Sequence, residues 1–430
     1  MTRRDILAGA VGVGTVLTPL GRAVAQDKPM HRYVGVYFAG GWDLLMTADA
    51  RDPAKVYPRV DLGIEHLAPK YQTPLEVTLG GQSALWGAPM APMVRHSDVA
   101  TIFRGVNMAT VAHPTGIAYA HTGLKPAGAT ARGASVGTVV ASAGLGDAAT
   151  IPNIAIDVTS YDGDYASIHK ATRVSSPNEI LGLLGPHANA LPTAIDTLLA
   201  AAQDAAGSCV EGRSKTSTPA SDLALSRERI RKLQKNNAAS QFDFFADTPA
   251  MADLRARYGI GEYGDASGFR AATVSQLLRT GIASSITVEL QGALDQHRAW
   301  GEVHPVRLEE GFTALAALID DLREDDPNLD NTTIYVYSEF GRTPTINGFL
   351  GRDHWFSNNF MVFGGKLVRG VFGLTGEDEL SVVNVNPKTG KADEDGIILT
   401  PEHVTATIVA ALGLDTQAYR VDPLTEWIAK

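Results

Sequence analysis

The segment that most constrains the fold is a run of β-branched and aromatic residues, 333–337, that ends abruptly in polar residues. Such a run predicts a buried β-strand. The residues that follow it are Ser338-Glu339-Phe340-Gly341-Arg342 and, after a turn, Gly351-Arg352-Asp353-His354. Carboxylates and an imidazole therefore lie just beyond the carboxyl end of a strand, which is where open α/β sheets bind their ligands.

Other runs of the same kind alternate with helical patterns. They predict strands at residues 32–38, 99–104, 286–290 and 360–363. Between 286–290 and 333–337, apolar residues recur at helical spacing from Leu308 to Leu322 and predict a helix that crosses over the sheet. This alternation is typical of a layered α/β domain with a mostly parallel central sheet.

The region from about 193 to 275 has a different pattern. Alanine-rich helical stretches precede a segment rich in Ser, Thr, Gly and Pro at 212–221, and a polar, basic helical stretch follows at 227–237. We interpret the region as a helical insertion with a solvated face rather than as a basic recognition patch.

The first 25 residues have the pattern of a twin-arginine signal peptide. Arg3 and Arg4 precede an apolar run rich in Gly and Ala, and Ala23-Val24-Ala25 is a small-x-small cleavage pattern. The run is too short for a membrane span, and no later segment approaches the ~20 apolar residues that a span needs. We therefore expect a mature domain at 26–430, periplasmic or secreted, with the twin-arginine translocase as its partner during export.

The net charge and the cysteine content argue against a nucleic-acid partner and against an internal disulfide. The formal net charge is −10 at pH 7, which argues against nucleic acid as a partner because lysines and arginines supply most non-specific affinity there. A small anionic substrate remains compatible with a local metal or arginine. Cys209 is the single cysteine, so the chain cannot form an internal disulfide.

Polar residues follow four of the predicted strands and form a mixed set of oxygen and imidazole groups. They are Asp43, His113, the pair Asp295 and His297, and Glu339 with the downstream Asp353 and His354. This set suits a divalent cation such as Zn, Mn, Mg or Ca, and thiolates are absent from it. Two such ions, ~3.5–4 Å apart, would stabilise the attacking and leaving oxygens of an ester displacement.

Each of these residues also has a structural explanation. Asp43 follows two glycines and could cap a helix. Asp295 and His297 could form a surface turn. Glu339 could pair with Arg342 in a buried salt bridge. A serine hydrolase is disfavoured, because the sequence around Ser338 is not the Gly-x-Ser-x-Gly elbow.

With these motifs in this order, the chain resembles the bacterial family known as domain of unknown function 1501. The likeness covers nearly the whole mature chain, and residues 338–342 with 351–354 are its most specific part. That family resembles the alkaline phosphatase and sulfatase superfamily, whose members hydrolyse phosphate or sulfate esters with metals at strand ends. The resemblance implies an alkaline-phosphatase-like three-layer sandwich, with Asp43 and Glu339 as acids for one ion. It implies Asp295, His297 and His354 as ligands of the other.

The sequence departs from the superfamily pattern at the nucleophile. That position falls near His113, with Thr115 as a shifted alternative, and Phe340 stands where hydrolytic members place a histidine. We expect His113 to act as nucleophile or general base and Arg342 to steady the anionic group. The expected function is hydrolysis of a small anionic ester or a sulfated or phosphorylated glycan. The alternative is a non-catalytic envelope, glycan-binding or assembly protein that retains the fold.

Overall fold

The computed structural model describes residues 30–52, 62–145, 149–184, 238–261, 266–377 and 379–430, and a few single positions between 192 and 228. The expected signal peptide at 1–25, Cys209 and the segment 212–221 lie outside the described residues. The same holds for nearly all of the predicted helical stretch at 227–237.

The described residues form strands and helices in alternation. The strands are β1 (Arg32–Phe38), β2 (Leu75–Leu79), β3 (Gln82–Trp86), β4 (Ala100–Asn107), β5 (Asn153–Ile156), β6 (Thr172–Val174), β7 (Ser285–Gln291), β8 (Thr332–Tyr337), β9 (Gly341–Arg342), β10 (His354–Trp355), β11 (Ser357–Gly364) and β12 (Gly370–Gly373). The α-helices are α1 (His113–Thr122), α2 (Val136–Ser142), α3 (Pro177–Leu184), α4 (Pro249–Tyr258), α5 (Ala266–Arg279), α6 (Trp300–Asp325) and α7 (Pro401–Ala411). Short 3-10 helices occur at Ile64–His66, Pro69–Tyr71, Ala88–Val99, Ser167–His169, Ala238–Phe242, Gln417–Tyr419 and Thr425–Trp427.

The centre of the fold is a mixed sheet of eight strands in the order β12-β4-β11-β8-β1-β7-β5-β6. Neighbouring strands run parallel except at β11, which is antiparallel to both β4 and β8. The prediction of an α/β fold with a mostly parallel sheet is therefore confirmed. The predicted crossover helix is α6, which connects β7 to β8.

Helices cover both faces of the sheet. Successive side chains of a strand point to opposite faces, and in β1 Val34 and Val36 pack into one hydrophobic cluster whereas Tyr33 and Tyr37 pack into the other. The first cluster includes the apolar faces of α5 and α6, and the second includes those of α1, α2 and α7. Both faces are thus buried, which explains why these strands read as continuous apolar runs.

The apolar stripe of α6 holds this helix on the sheet. Leu308, Phe312, Leu315, Leu318, Ile319 and Leu322 are all completely buried. Burial of each such side chain contributes about 1.5–3 kcal/mol, so the stripe is a major source of stability for this layer. Residues 266–275, predicted to belong to the insertion, form most of α5 and pack on the sheet with α6.

The strand directions determine where the loops meet. β1, β4, β7 and β8 all run the same way, so their carboxyl ends lie at one edge of the sheet. The amino end of the antiparallel β11 lies at the same edge. None of the helices in the described part of the chain combines the length and the apolarity that a bilayer span requires.

Candidate functional site

Four side chains meet at this edge of the sheet. Asp295 and His297 lie in the loop after β7, His113 begins α1, and His354 begins β10 just before β11. Ligand atoms of His113, Asp295 and His354 all lie within 4.8 Å of one another. The Nε2 atom of His297 lies 3.1 Å from Asp295 Oδ1 and 3.0 Å from His354 Nε2. We refer to these four residues as the histidine cluster.

The second ring nitrogen of each imidazole contacts an oxygen that can only accept a hydrogen bond. The Nδ1 atoms lie 2.9 Å from Glu339 Oε1 for His113, 2.7 Å from Asp353 Oδ1 for His297 and 2.7 Å from the Val111 carbonyl for His354. A carbonyl, or an ionised carboxylate, requires a donor. Each Nδ1 therefore carries a proton.

The Nε2 atoms consequently bear lone pairs when the rings are neutral, and they face a carboxylate. The distances from Nε2 to the Asp295 oxygens are 3.4 Å for His113, 3.1 Å for His297 and 3.1 Å for His354. Acceptors that meet acceptors repel, unless protons or a metal cation lie between them. Imidazole nitrogens and a carboxylate are suitable ligands for Zn²⁺ and related ions, and the contacts at Nδ1 are those that orient metal-binding histidines.

Arg342 lies behind Asp295. Its guanidinium is completely buried and donates to Asp295 Oδ1 at 2.6 Å, to the Gly41 carbonyl at 3.0 Å and to the Arg352 carbonyl at 3.0 Å. Burial tends to raise the pKa of Asp295, but the hydrogen bond from Arg342 holds it well below its usual range. Arg342 was predicted to steady a substrate anion, but in the structure it orients Asp295.

Glu339 is buried beneath His113. Its carboxylate accepts hydrogen bonds from the Gly40 N–H at 2.9 Å, from Ser338 Oγ at 2.9 Å and from His113 Nδ1. The hydrogen bond with Glu339 raises the pKa of His113, against the effect of burial. The buried bridge between Glu339 and Arg342 is not formed, because Arg342 pairs with Asp295. Glu339 orients His113 rather than joining the cluster.

Asp43, predicted as a metal ligand, does not join the cluster. Its side chain is completely buried and pairs with Arg352 Nη1 at 2.7 Å. The same carboxylate accepts from the backbone N–H groups of Leu45 at 2.8 Å and Met46 at 3.3 Å. A helix cap was the alternative expected for Asp43, and the structure instead shows this acid capping a turn.

The remaining predicted residues lie near the cluster in other roles. Asp353 contacts His297, and this hydrogen bond lowers the pKa of the carboxyl group. Phe340 packs against two imidazoles, with ring centroids 4.8 Å from His113 and 4.3 Å from His354. Thr115 lies in the first turn of α1 and does not line the cleft described next.

A cleft of 780 Å³ opens at the cluster, where His113, Asp295 and Glu339 line it. Sequence reasoning missed four charged residues that also line the cleft: Asp157, Arg173, Glu179 and Glu289. Glu289 lies inside β7, where burial raises its pKa to about 7. The sequence did carry a signal for Glu289, because an acid within an apolar strand is unusual. Arg173, in the short strand β6, had no comparable signal.

Glycine at position 40 permits the loops after β1 and β7 to approach each other. Gly40 has φ of +112°, and a Cβ atom there would lie 2.6 Å from the backbone nitrogen of Asp295. Any side chain would displace Asp295 from the cluster. The double glycine after β1 is therefore part of the geometry of the site.

Comparison with known proteins assigns a family without an activity. The family model described as "Protein of unknown function (DUF1501)" matches residues 31–429. A search of curated proteins found no match.

Proposed function

The chain belongs to the DUF1501 family, and from this premise we propose that it is an exported metal-dependent hydrolase acting on a phosphate or sulfate ester. The family description assigns no activity, so the proposal rests on the histidine cluster and on the likeness of the motifs to the alkaline phosphatase superfamily. The observation that carries it is the convergence of three Nε2 atoms on the Asp295 carboxylate.

The charges around the cluster support a divalent cation. The carboxylate of Asp295 pairs with Arg342, whereas those of Glu339 and Asp353 contact imidazoles, so a divalent ion would offset the two remaining negative charges. Asp295, His297 and His354 would hold the ion, which leaves a position open for water or substrate. When bound, such an ion lowers the pKa of a coordinated water and polarises the ester.

The remaining residues orient groups and accept a proton. His113 lies at the cleft with Glu339 on its Nδ1, so its Nε2 can take the proton of the attacking water or hydroxyl. The Glu339 carboxylate then stabilises the imidazolium. Arg342 fixes Asp295, and Phe340 packs against the rings of His113 and His354.

Turnover assays on phosphate and sulfate esters, with added Zn, Mn, Mg or Ca, test this function. We expect hydrolysis of at least one ester class and its loss on Asp295→Ala and on His113→Ala. A matched control is Asp320→Ala, which removes an exposed acid paired with Arg95. Absence of turnover with every ester and ion, in folded protein of known metal content, would contradict the hydrolase.

A non-catalytic binding protein of the same fold is the second proposal. The observation in its favour is that the histidine cluster itself contains no serine, threonine or cysteine. Thr115 does not line the cleft, and the threonine and serine that do, Thr159 and Ser175, are not part of the cluster. Elemental analysis of the purified protein separates the two proposals. Bound metal at about one ion per chain supports the hydrolase, whereas folded protein without metal supports the binding protein.

Export by the twin-arginine pathway also remains part of the proposal. It rests on Arg3, Arg4 and the cleavage pattern before Gln26. Replacing both arginines by lysine in the full chain should retain the protein in the cytoplasm, as cell fractionation would show. Unchanged export of this variant would contradict the assignment.

A further inference from the structure

A second cleft, of 630 Å³, lies beside the first. Arg173 lines both clefts. One chain segment also runs along both, because residues 157–159 line the first cleft and residues 160–165 line the second. Each volume is within the range of small-molecule sites, about 300–1,000 Å³. The two clefts are therefore neighbouring parts of one elongated surface that begins at the histidine cluster.

The side chains of the second cleft combine aromatic rings with acids. They include Tyr161, Tyr165 and Tyr419 and the carboxylates of Asp162, Asp164 and Asp415. A tyrosine presents an apolar ring face and a polar hydroxyl, and ionised carboxylates accept hydrogen bonds from hydroxyl groups. Only Arg132 and Arg173 are cationic there, so the acids outnumber the bases. This chemistry suits an uncharged molecule with many hydroxyl groups and disfavours an anion.

Arg173 lies where the two clefts meet. Its Nη2 donates to the Ser160 carbonyl and lies 3.8 Å from Asp162 Oδ2, while 56% of the side chain remains exposed. A guanidinium carries five N–H donors, and these contacts use those of one nitrogen. Arg173 can therefore donate to an ester oxygen on one side and to a hydroxyl oxygen on the other.

We propose that the second cleft binds an uncharged, polyhydroxylated moiety such as a short run of sugar residues. The ester group of the same molecule would lie in the first cleft, and Arg173 would contact both parts. The position of the ester rests on the proposed hydrolase function, whereas the binding of sugars does not. The substrate class is accordingly a sugar ester, in which the anionic group is directed toward the histidine cluster.

Calorimetric titration of the full chain with maltotriose, cellotriose and N-acetylchitotriose tests the second cleft directly. We expect at least one of these neutral sugars to bind, and Tyr165→Ala to weaken that binding by about tenfold or more. The matched control is Phe245→Ala, which removes an exposed aromatic ring that lines neither cleft. No binding of any of the three sugars, or equal binding by Tyr165→Ala, would overturn the proposal.

Asp295→Ala distinguishes this proposal from the hydrolase function. Sugar binding should persist in Asp295→Ala and in the presence of a chelator, because the second cleft does not include the cluster. Sugar binding without hydrolysis of any ester would leave this inference standing and remove the hydrolase. Hydrolysis of 4-nitrophenyl sulfate or phosphate, without binding of any of the sugars, would do the reverse.

Discussion

Asp43 and Asp295 follow neighbouring parallel strands and were predicted to bind two neighbouring metal ions, but their surroundings differ in one decisive respect. Asp43 is completely buried, and its carboxylate is surrounded by hydrogen-bond donors, namely Arg352 and two backbone N–H groups. Asp295 is half-exposed and faces, besides Arg342, three imidazole nitrogens that bear lone pairs in neutral rings. A carboxylate whose oxygens all accept hydrogen bonds from protein donors has a structural role. An acid that faces acceptors needs a cation.

The largest expected effect concerns the buried ion pair between Asp43 and Arg352. Arg352→Ala leaves the Asp43 carboxylate buried and unpaired, which costs about 3–5 kcal/mol of unfolding free energy. Urea denaturation of the metal-free protein measures this. The double variant Asp43→Asn with Arg352→Ala should recover part of the loss. A loss below about 1 kcal/mol in the single variant would remove the contrast between the two acids.

Removal of an imidazole from the histidine cluster should have the opposite effect, with a large loss of metal affinity and a small loss of unfolding free energy. His354→Ala should weaken divalent-metal affinity by more than about 100-fold, since loss of an outer contact alone costs 10–100-fold. The unfolding free energy of the metal-free protein should fall little, because His354 is partly exposed. Competition titration with a chromogenic chelator provides the affinity. An unchanged affinity would place the ion elsewhere.

The outer contacts should have a smaller effect than the ligands. Asp353→Asn retains the size of the side chain but weakens the hydrogen bond to His297 Nδ1. We expect a loss of metal affinity of about 10–100-fold, measured by the same titration. If Asp353→Asn reduced affinity as much as His297→Ala, Asp353 would itself be a ligand, as first predicted from the sequence.

The smallest effect is a change in pH dependence at Glu289. Burial raises the pKa of this carboxyl from 4.5 to about 7, so the folded state binds its proton more tightly than the unfolded state does. Its contribution to stability is therefore lost as pH rises from about 4.5 to about 7. Glu289→Gln should flatten the dependence of the unfolding free energy on pH over this interval. An unaltered slope would show that Glu289 titrates normally.

Much of the fold was predictable because each principal strand is a continuous apolar run. Within the eight-stranded sheet, strands β5, β6 and β12 were missed, since segments of three or four residues carry little periodic signal. The reversed direction of β11 was also not predictable, because residue pattern does not encode strand direction. Residue pattern identifies a buried strand but not its neighbours.

The residues of the site were predictable by type, whereas their roles depended on long-range partners. Asp295, His297 and His354 meet because their loops follow or precede strands at one edge. Glu339 and Asp353 contact Nδ1 atoms, which residue type alone cannot indicate. Asp43 pairs with Arg352, which is far away in the sequence, instead of joining the histidine cluster. Spacing therefore predicted which residues meet, and only the folded geometry separates the candidate ligands from the residues that orient them.

The most direct test of the central claim is X-ray diffraction from crystals of the metal-loaded protein, recorded at the absorption edge of the bound ion. We predict an anomalous peak about 2.0–2.2 Å from the Nε2 atoms of His297 and His354 and from an Asp295 oxygen. A peak at Asp43, or folded protein whose crystals show no peak between these side chains after soaking with Zn²⁺ and Mn²⁺, would contradict it.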